Sequence, residues 1–153
     1  QGEEHDGIGA QLGDNVERVI RAVHRPILVA AGAFKAPQSI MLAYDGSDTT
    51  RKGVNMLADS PLFKGLECHL VTVGNRAENL QWAADKLSSS GYQVQTAVLE
   101  GEVEPALHNY QQAQNIDLVV MGAYGHSRIR EFFVGSTTNK MIREASVPHL
   151  LLR

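Results

Sequence analysis

The sequence predicts an α/β fold, an open parallel sheet with helices on both faces. Two observations carry this expectation. From Ser39 onward, short apolar runs alternate with segments of helical period, and glycine or proline marks many of the changeovers. The chain is also long and apolar enough for one ordinary domain, with 153 residues, 43% of them hydrophobic and 20% charged. Repeated strand–helix alternation closes into a parallel sheet, because each strand reaches its neighbour through a right-handed crossover packed on one face.

The elements follow in order. Residues 40–44 read as the first strand of the alternating series. Residues 48–59 read as a helix with Val54, Leu57 and Ala58 on one face, closed by Pro61. Residues 66–73 form the second strand. Residues 77–90 form a helix whose Leu80, Ala83, Ala84 and Leu87 fall at i, i+3, i+4 and i+7. Gly91 sits where a C-terminal glycine cap belongs. Residues 94–99 are the third strand. The next helix opens near Glu102 to Pro105, with acid and proline in its first turn, and runs to about Asn115. Residues 118–121 are the fourth strand. A helix after Gly135 carries Met141, Ile142 and Ala145. Pro148 stops it, and 149–152 is the fifth strand.

Composition narrows the function. A net charge of −3 argues against a broad footprint for nucleic acid. No apolar run approaches the roughly 20 residues that span a bilayer. No secretory leader pattern is visible, and a cytoplasmic location is expected. The single cysteine, Cys68, excludes an intrachain disulfide framework and reads as a buried thiol. Six histidines (5, 24, 69, 108, 126 and 149) are scattered without metal-ligand spacing. His69 and His149 fall within strands.

The segment 117–136, DLVVMGAYGHSRIREFFVGS, is the most informative. A strand ends at Met121 and Gly122; Gly125 follows, then Gly135, Ser136 and Thr137 at a helix start. Glycines let the backbone approach an anion closely. A helix N-terminus offers free N–H groups and a partial positive charge, and hydroxyls at the cap add donors. The arrangement suits phosphate.

The pattern Gly122-x2-Gly125-x9-Gly135-Ser136 resembles the nucleotide-binding signature of the universal stress protein family. The resemblance extends over residues 36–153 and includes Asp45-Gly46-Ser47 after the first strand and Val147-Pro148 before the last. It implies an adenine nucleotide alpha-hydrolase-like fold, its five parallel strands ordered 3-2-1-4-5 when counted from 40–44. The topological switch then lies between the first and fourth strands, where open α/β sheets bind ligands. The resemblance makes Asp45 a contact near adenine or ribose, with helix capping as its other role. It makes the backbone of Val73 a contact to the adenine edge. Gly122, Gly125, Gly135, Ser136 and Thr137 would hold the phosphates, with His126 and Arg128 reaching them from the loop, and Met121 would be a further nucleotide contact. Glu102 borders the same region. An acid beside phosphate needs a metal or an outward rotamer, so Mg²⁺ enters only as a companion of ATP.

Residues 12–29 echo residues 134–151 near the end of the chain. Gly13, Ile20, Arg21, Pro26 and Leu28 match Gly135, Ile142, Arg143, Pro148 and Leu150 at a constant offset of 122. The chain therefore resembles a tandem universal stress protein: 1–35 would be the last helix and strand of a preceding copy plus a linker at 34–38, and 36–153 a full domain. An unpaired edge strand invites pairing. Residues 27–29 are expected to pair with 149–152, within the chain as a pseudo-dimer or across a homodimer. Asp14 stands where the second copy has Ser136, and a carboxylate there would repel phosphate, so the first copy is not expected to bind nucleotide.

No acid/base pair or P-loop emerges, and no catalytic residue is assigned. The expected function is an ATP-binding regulatory module of stress adaptation. The alternatives are a nucleotide-free interaction scaffold of the same fold and a slow ATPase.

Overall fold

A computed structural model describes residues 18–19, 22–74, 79–123 and 136–153. Six strands, β1 (Ile27–Val29), β2 (Ser39–Ala43), β3 (Glu67–Val73), β4 (Gln93–Leu99), β5 (Leu118–Gly122) and β6 (His149–Leu152), form one sheet. Its order is β1-β6-β5-β2-β3-β4. The neighbours from β4 through β6 are parallel, and β1 joins the far edge antiparallel to β6. The five parallel strands thus hold the expected order, and the sheet as a whole is six-stranded and mixed. Among the described residues, four helices lie between these strands: α1 (Asp48–Asp59), α2 (Leu80–Ser89), α3 (Val103–Ala113) and α4 (Ser136–Arg143).

The alternation of side chains along each strand sends residues to two cores. Ile40, Leu42, Cys68, Leu70, Leu118 and Val120 pack under Val54 and Leu57 of α1 and Leu80 and Leu87 of α2. Met41, Val71, Val119 and Leu151 pack under Leu107 of α3 and Met141 of α4. Met41, Leu42, Val119 and Val120 are therefore buried on both sides of the sheet, as parallel strands require. Cys68 lies in the first core, where burial pushes its thiol up to about 12.

Local chemistry sets the helix ends. Ser47 caps α1, its Oγ accepting from Thr50 N at 3.3 Å. α2 starts at Leu80, because Asn79 holds a left-handed φ of 63° that cannot continue a helix; the expected start at 77 lies outside the described residues. α2 and α3 end alike. Tyr92 N–H bonds Leu87 O and Gly91 N–H bonds Ser88 O; Ile116 N–H bonds Gln111 O and Asn115 N–H bonds Gln112 O. Gly91 and Asn115 supply the positive φ this paired closure needs, so α3 stops at Ala113 rather than running on to Asn115. Gly53 in α1 serves close approach. A Cβ there would strike Leu152 Cδ1, so the missing side chain lets β6 pack against the helix.

Polar groups fasten the flanks. The Asp117 carboxylate accepts from Gln38 N at 2.9 Å and Ser39 N at 3.3 Å, tying the segment before β2 to the start of β5. Buried His69 is held between the Tyr110 hydroxyl and Glu67, each at 2.8 Å, which joins α3 to β3. No described helix is long and apolar enough to cross a membrane.

The β1–β6 pairing confirms the expected contact and adds a symmetry. Leu28 faces Leu150, which is also its match at the 122-residue offset; Ile27 faces Leu151 and Val29 faces His149, exchanged pairs under the same offset. The ladder is thus two-fold about Leu28–Leu150, the arrangement of two like strands meeting isologously. His149 is buried at this seam. Its Nδ1–H donates to Val147 O at 2.8 Å, and its Nε2 is buried without a partner. Burial lowers its pKa, His108 lowers it further, and the Val147 carbonyl opposes both. The unfolded chain therefore takes up this proton before the folded one does. Stability should be full above the ordinary histidine value of 6.5 and fall as pH drops below it. The loss of melting temperature between about pH 7.5 and about pH 5.5 should shrink in His149→Leu. An unchanged loss would place the acid sensitivity elsewhere.

Candidate functional site

Three strand ends and two helix starts meet at the carboxyl edge. β2 and β5 are neighbours there, paired through Ile40–Leu118, Met41–Val119 and Leu42–Val120. The chain leaves β2 into α1 on one face and leaves β5 toward α4 on the other. This divergence opens the crevice in which doubly wound sheets take ligands.

Asp45 stands just beyond β2. Its Oδ1 accepts from Ser47 N at 2.9 Å and from Thr50 Oγ1 at 2.8 Å. Gly46 between them takes a φ of 75°, which turns the chain sharply from strand into helix. Both bonds of Asp45 go to the same oxygen. The turn role weighed from the sequence is thus present, and it orients the carboxylate rigidly. Tyr44 packs in the core just before it, with a buried hydroxyl that has no partner. Burial raises the Tyr44 pKa; Arg51 counters this and Asp45 adds to it.

Gly122 lies across the crevice at the end of β5. A Cβ there would come within 3.6 Å of Thr49 and 3.8 Å of Thr50, so β5 meets the first turn of α1 directly. The structure therefore brings Gly122 against Asp45 and the capped start of α1, which lie far from it in sequence. Met121 is buried beneath them, 1% exposed, in the second core. It supports the edge as packing, and its side chain is not offered to a ligand. Val73 is also at this edge: β3 stays paired with β4 to Val73–Leu99, two residues beyond the last β2–β3 pair, Ala43–Val71.

α4 spans Ser136–Arg143, so Ser136 and Thr137 stand at its described start. Gly125, His126, Arg128 and Gly135 lie outside the described residues. Arg153 was not singled out from the sequence, yet it reaches the same edge. Its Nε donates to Val23 O at 3.2 Å and a terminal nitrogen to Ala123 O at 3.4 Å. Nothing in a terminal Leu-Leu-Arg signals that role; only the return of β6 beside β5 creates it. Among the described residues no group of three or more His, Cys, Asp or Glu side chains could hold a metal ion.

These features define an α/β protein whose strand order reverses between β2 and β5. A model of the universal stress protein family matches residues 73–153, just over half of the chain. Universal stress protein Slr1230 of Synechocystis is 40% identical over 148 residues, covering 93% of this chain and 52% of that protein. The chain belongs to the universal stress protein family. It spans about half the length of Slr1230. Solved structures agree on the fold. A universal stress protein from Archaeoglobus fulgidus superposes with a TM-score of 0.72 at 20% identity, covering 88% of this chain and 52% of that one. A universal stress protein in complex with cAMP gives 0.63 at 22% identity, with coverage of 78% and 98%. A universal stress protein from Archaeoglobus fulgidus in complex with dAMP gives 0.58 at 19%, with coverage of 78% and 100%.

Thr50→Val removes the hydroxyl that fixes Asp45 and should cost about 1 kcal/mol in urea unfolding, the usual net value of such a bond. A stability equal to wild type would show that Ser47 N alone orients the carboxylate.

Proposed function

We propose that this chain is an ATP-binding regulatory module of stress adaptation, its nucleotide seated between Asp45 and the Gly122-x2-Gly125-x9-Gly135-Ser136 segment. The observation that carries the reading is the meeting of Asp45, the start of α1 and Gly122 at the β2–β5 switch, from which the chain passes through α4 to β6. In this reading the Asp45 oxygen not used in the turn accepts from ribose or adenine, and the Val73 backbone borders the base. The N–H groups of α4 receive the phosphates, with Gly125, Gly135 and the Ser136 and Thr137 hydroxyls around them and His126 and Arg128 adding positive charge. Mg²⁺ would accompany the phosphates and be held by them, since the described residues offer no cluster of ligands for it. The complexes of family structures with cAMP and dAMP support an adenine nucleotide as the ligand class. No acid/base pair has been assigned for turnover, so binding is the output and any ATP hydrolysis is slow.

Calorimetry with ATP and AMP, with and without Mg²⁺, tests this. Micromolar binding is expected, weakened at least about tenfold in Gly135→Asp, where a carboxylate would face the phosphates. A folded wild type that binds neither nucleotide would leave the family fold as a ligand-free scaffold.

The N-terminal segment has a separate role in this reading. Residues 1–35 are the closing helix and strand of a preceding copy, and β1 stands where the β6 of a second domain would stand. The two-fold ladder about Leu28–Leu150 supports this pseudo-dimer. If so, Ile27→Asp with Val29→Asp, both on the core side, should dislodge β1 and expose β6. The chain should then self-associate through β6, seen as a doubled mass by light scattering. A variant that stays folded and monomeric would defeat the assignment.

A further inference from the structure

The carboxyl edge carries a buried acid on the face that α3 shares with α4. Glu104 lies in the first turn of α3, and its side chain is 8% exposed. Glu102 precedes it as the N-cap. α3 follows β4 closely, so its first turn stands at the carboxyl edge of the sheet. It packs on the same face as α4, Leu107 and Met141 sharing one core. A carboxylate fixed there in a low-dielectric setting opposes any anion bound nearby.

Lys140 answers that charge. Its Nζ meets Glu104 Oε2 at 2.7 Å, joining the first turn of α3 to α4. Lys140 follows Ser136 by four residues, which is one turn, about 6 Å of helix. Helix side chains lean toward the N-terminus, so the pair stands beside the first turn of α4. The Glu104 hydrogen bond and charge raise the Lys140 pKa, desolvation opposes them, and Glu144 and Glu102 add to the rise. The ammonium is therefore secure at neutral pH. Lys140 is more than half exposed, and its partner is almost wholly buried. The lysine could leave for solvent, whereas the carboxylate would stay buried at the edge.

We propose that Lys140 is a positioning and charge-neutralising residue for the phosphate end of the site: it cancels the buried Glu104 carboxylate and ties α4 to α3, so that the start of α4 presents a net positive field. The proposal rests on the nucleotide reading above. It gives the two partners unequal weight. Losing Lys140 leaves an uncompensated negative charge beside the phosphates. Losing the Glu104 charge removes the need for Lys140. A pair that only docked two helices would make the single losses equivalent.

The test is ATP calorimetry on the whole chain as wild type, Lys140→Met, Glu104→Gln and the double variant, with melting curves for each. Lys140→Met should bind about tenfold or more weakly, Glu104→Gln within about twofold of wild type, and the double variant close to Glu104→Gln. Equal weakening in Lys140→Met and Glu104→Gln, or an unaffected Lys140→Met, would overturn the proposal while nucleotide binding stood. Where Lys140→Met alone is too unstable to assay, the double variant decides: wild-type affinity supports neutralisation and weak binding overturns it. A folded wild type that does not bind ATP removes the nucleotide reading itself, and this proposal with it.

Discussion

The parallel pairing of β2 with β5 is the contact on which the rest of this molecule depends. Both strands are buried on both faces, through Met41, Leu42, Val119 and Val120, and each sends its chain away from the other. From β2 the chain proceeds through α1 and α2 on one face to β3 and β4. From β5 it proceeds through α4 on the opposite face to β6. Right-handed crossovers leave no other choice once the order of strands reverses at this point. The crevice follows from the topology, and the residues at the two strand ends inherit their roles from it.

The apolar layers and the polar edge divide the work. Two clusters, one on each face, hold the sheet and helices in register, and burial of apolar surface is the main source of that stability. At the carboxyl edge the same strands end in residues chosen for geometry. Gly46 turns the chain, Asp45 binds back onto Ser47 and Thr50, and Gly122 lets β5 come against α1. Asp45 is held in place because both of its bonds go to the capped start of α1, whose inner face is buried.

Much of this was legible from residue order. Periods of two and of 3.6 marked the strands and helices because one face of each must be apolar. Helix α1 and strand β6 have the bounds their patterns foretold, since Ser47 and Pro61 bracket one and Pro148 precedes the other. The start of α2 was not legible, because the left-handed Asn79 is a choice of backbone conformation that asparagine permits and does not signal. Met121 was read with the glycines as a site residue. The alternation of β5 turns it into the core, and adjacency in sequence gave no hint of which face it would take.

What the chain alone determined is local or repetitive: the alternation of elements, the glycine pattern after β5, the capping of α1, and the 122-residue echo between its two ends. These depend on short-range sterics, hydrogen bonding and comparison of like with like. Tertiary structure decided which distant groups meet. It brought Thr50 and Gly122 together, set Lys140 on Glu104, carried Arg153 back to Val23 and Ala123, and aligned Leu28 with Leu150. Such contacts arise only when several strands and helices pack at once. Their partners lie up to 130 residues apart, and no local pattern can encode the position of a group so far along the chain.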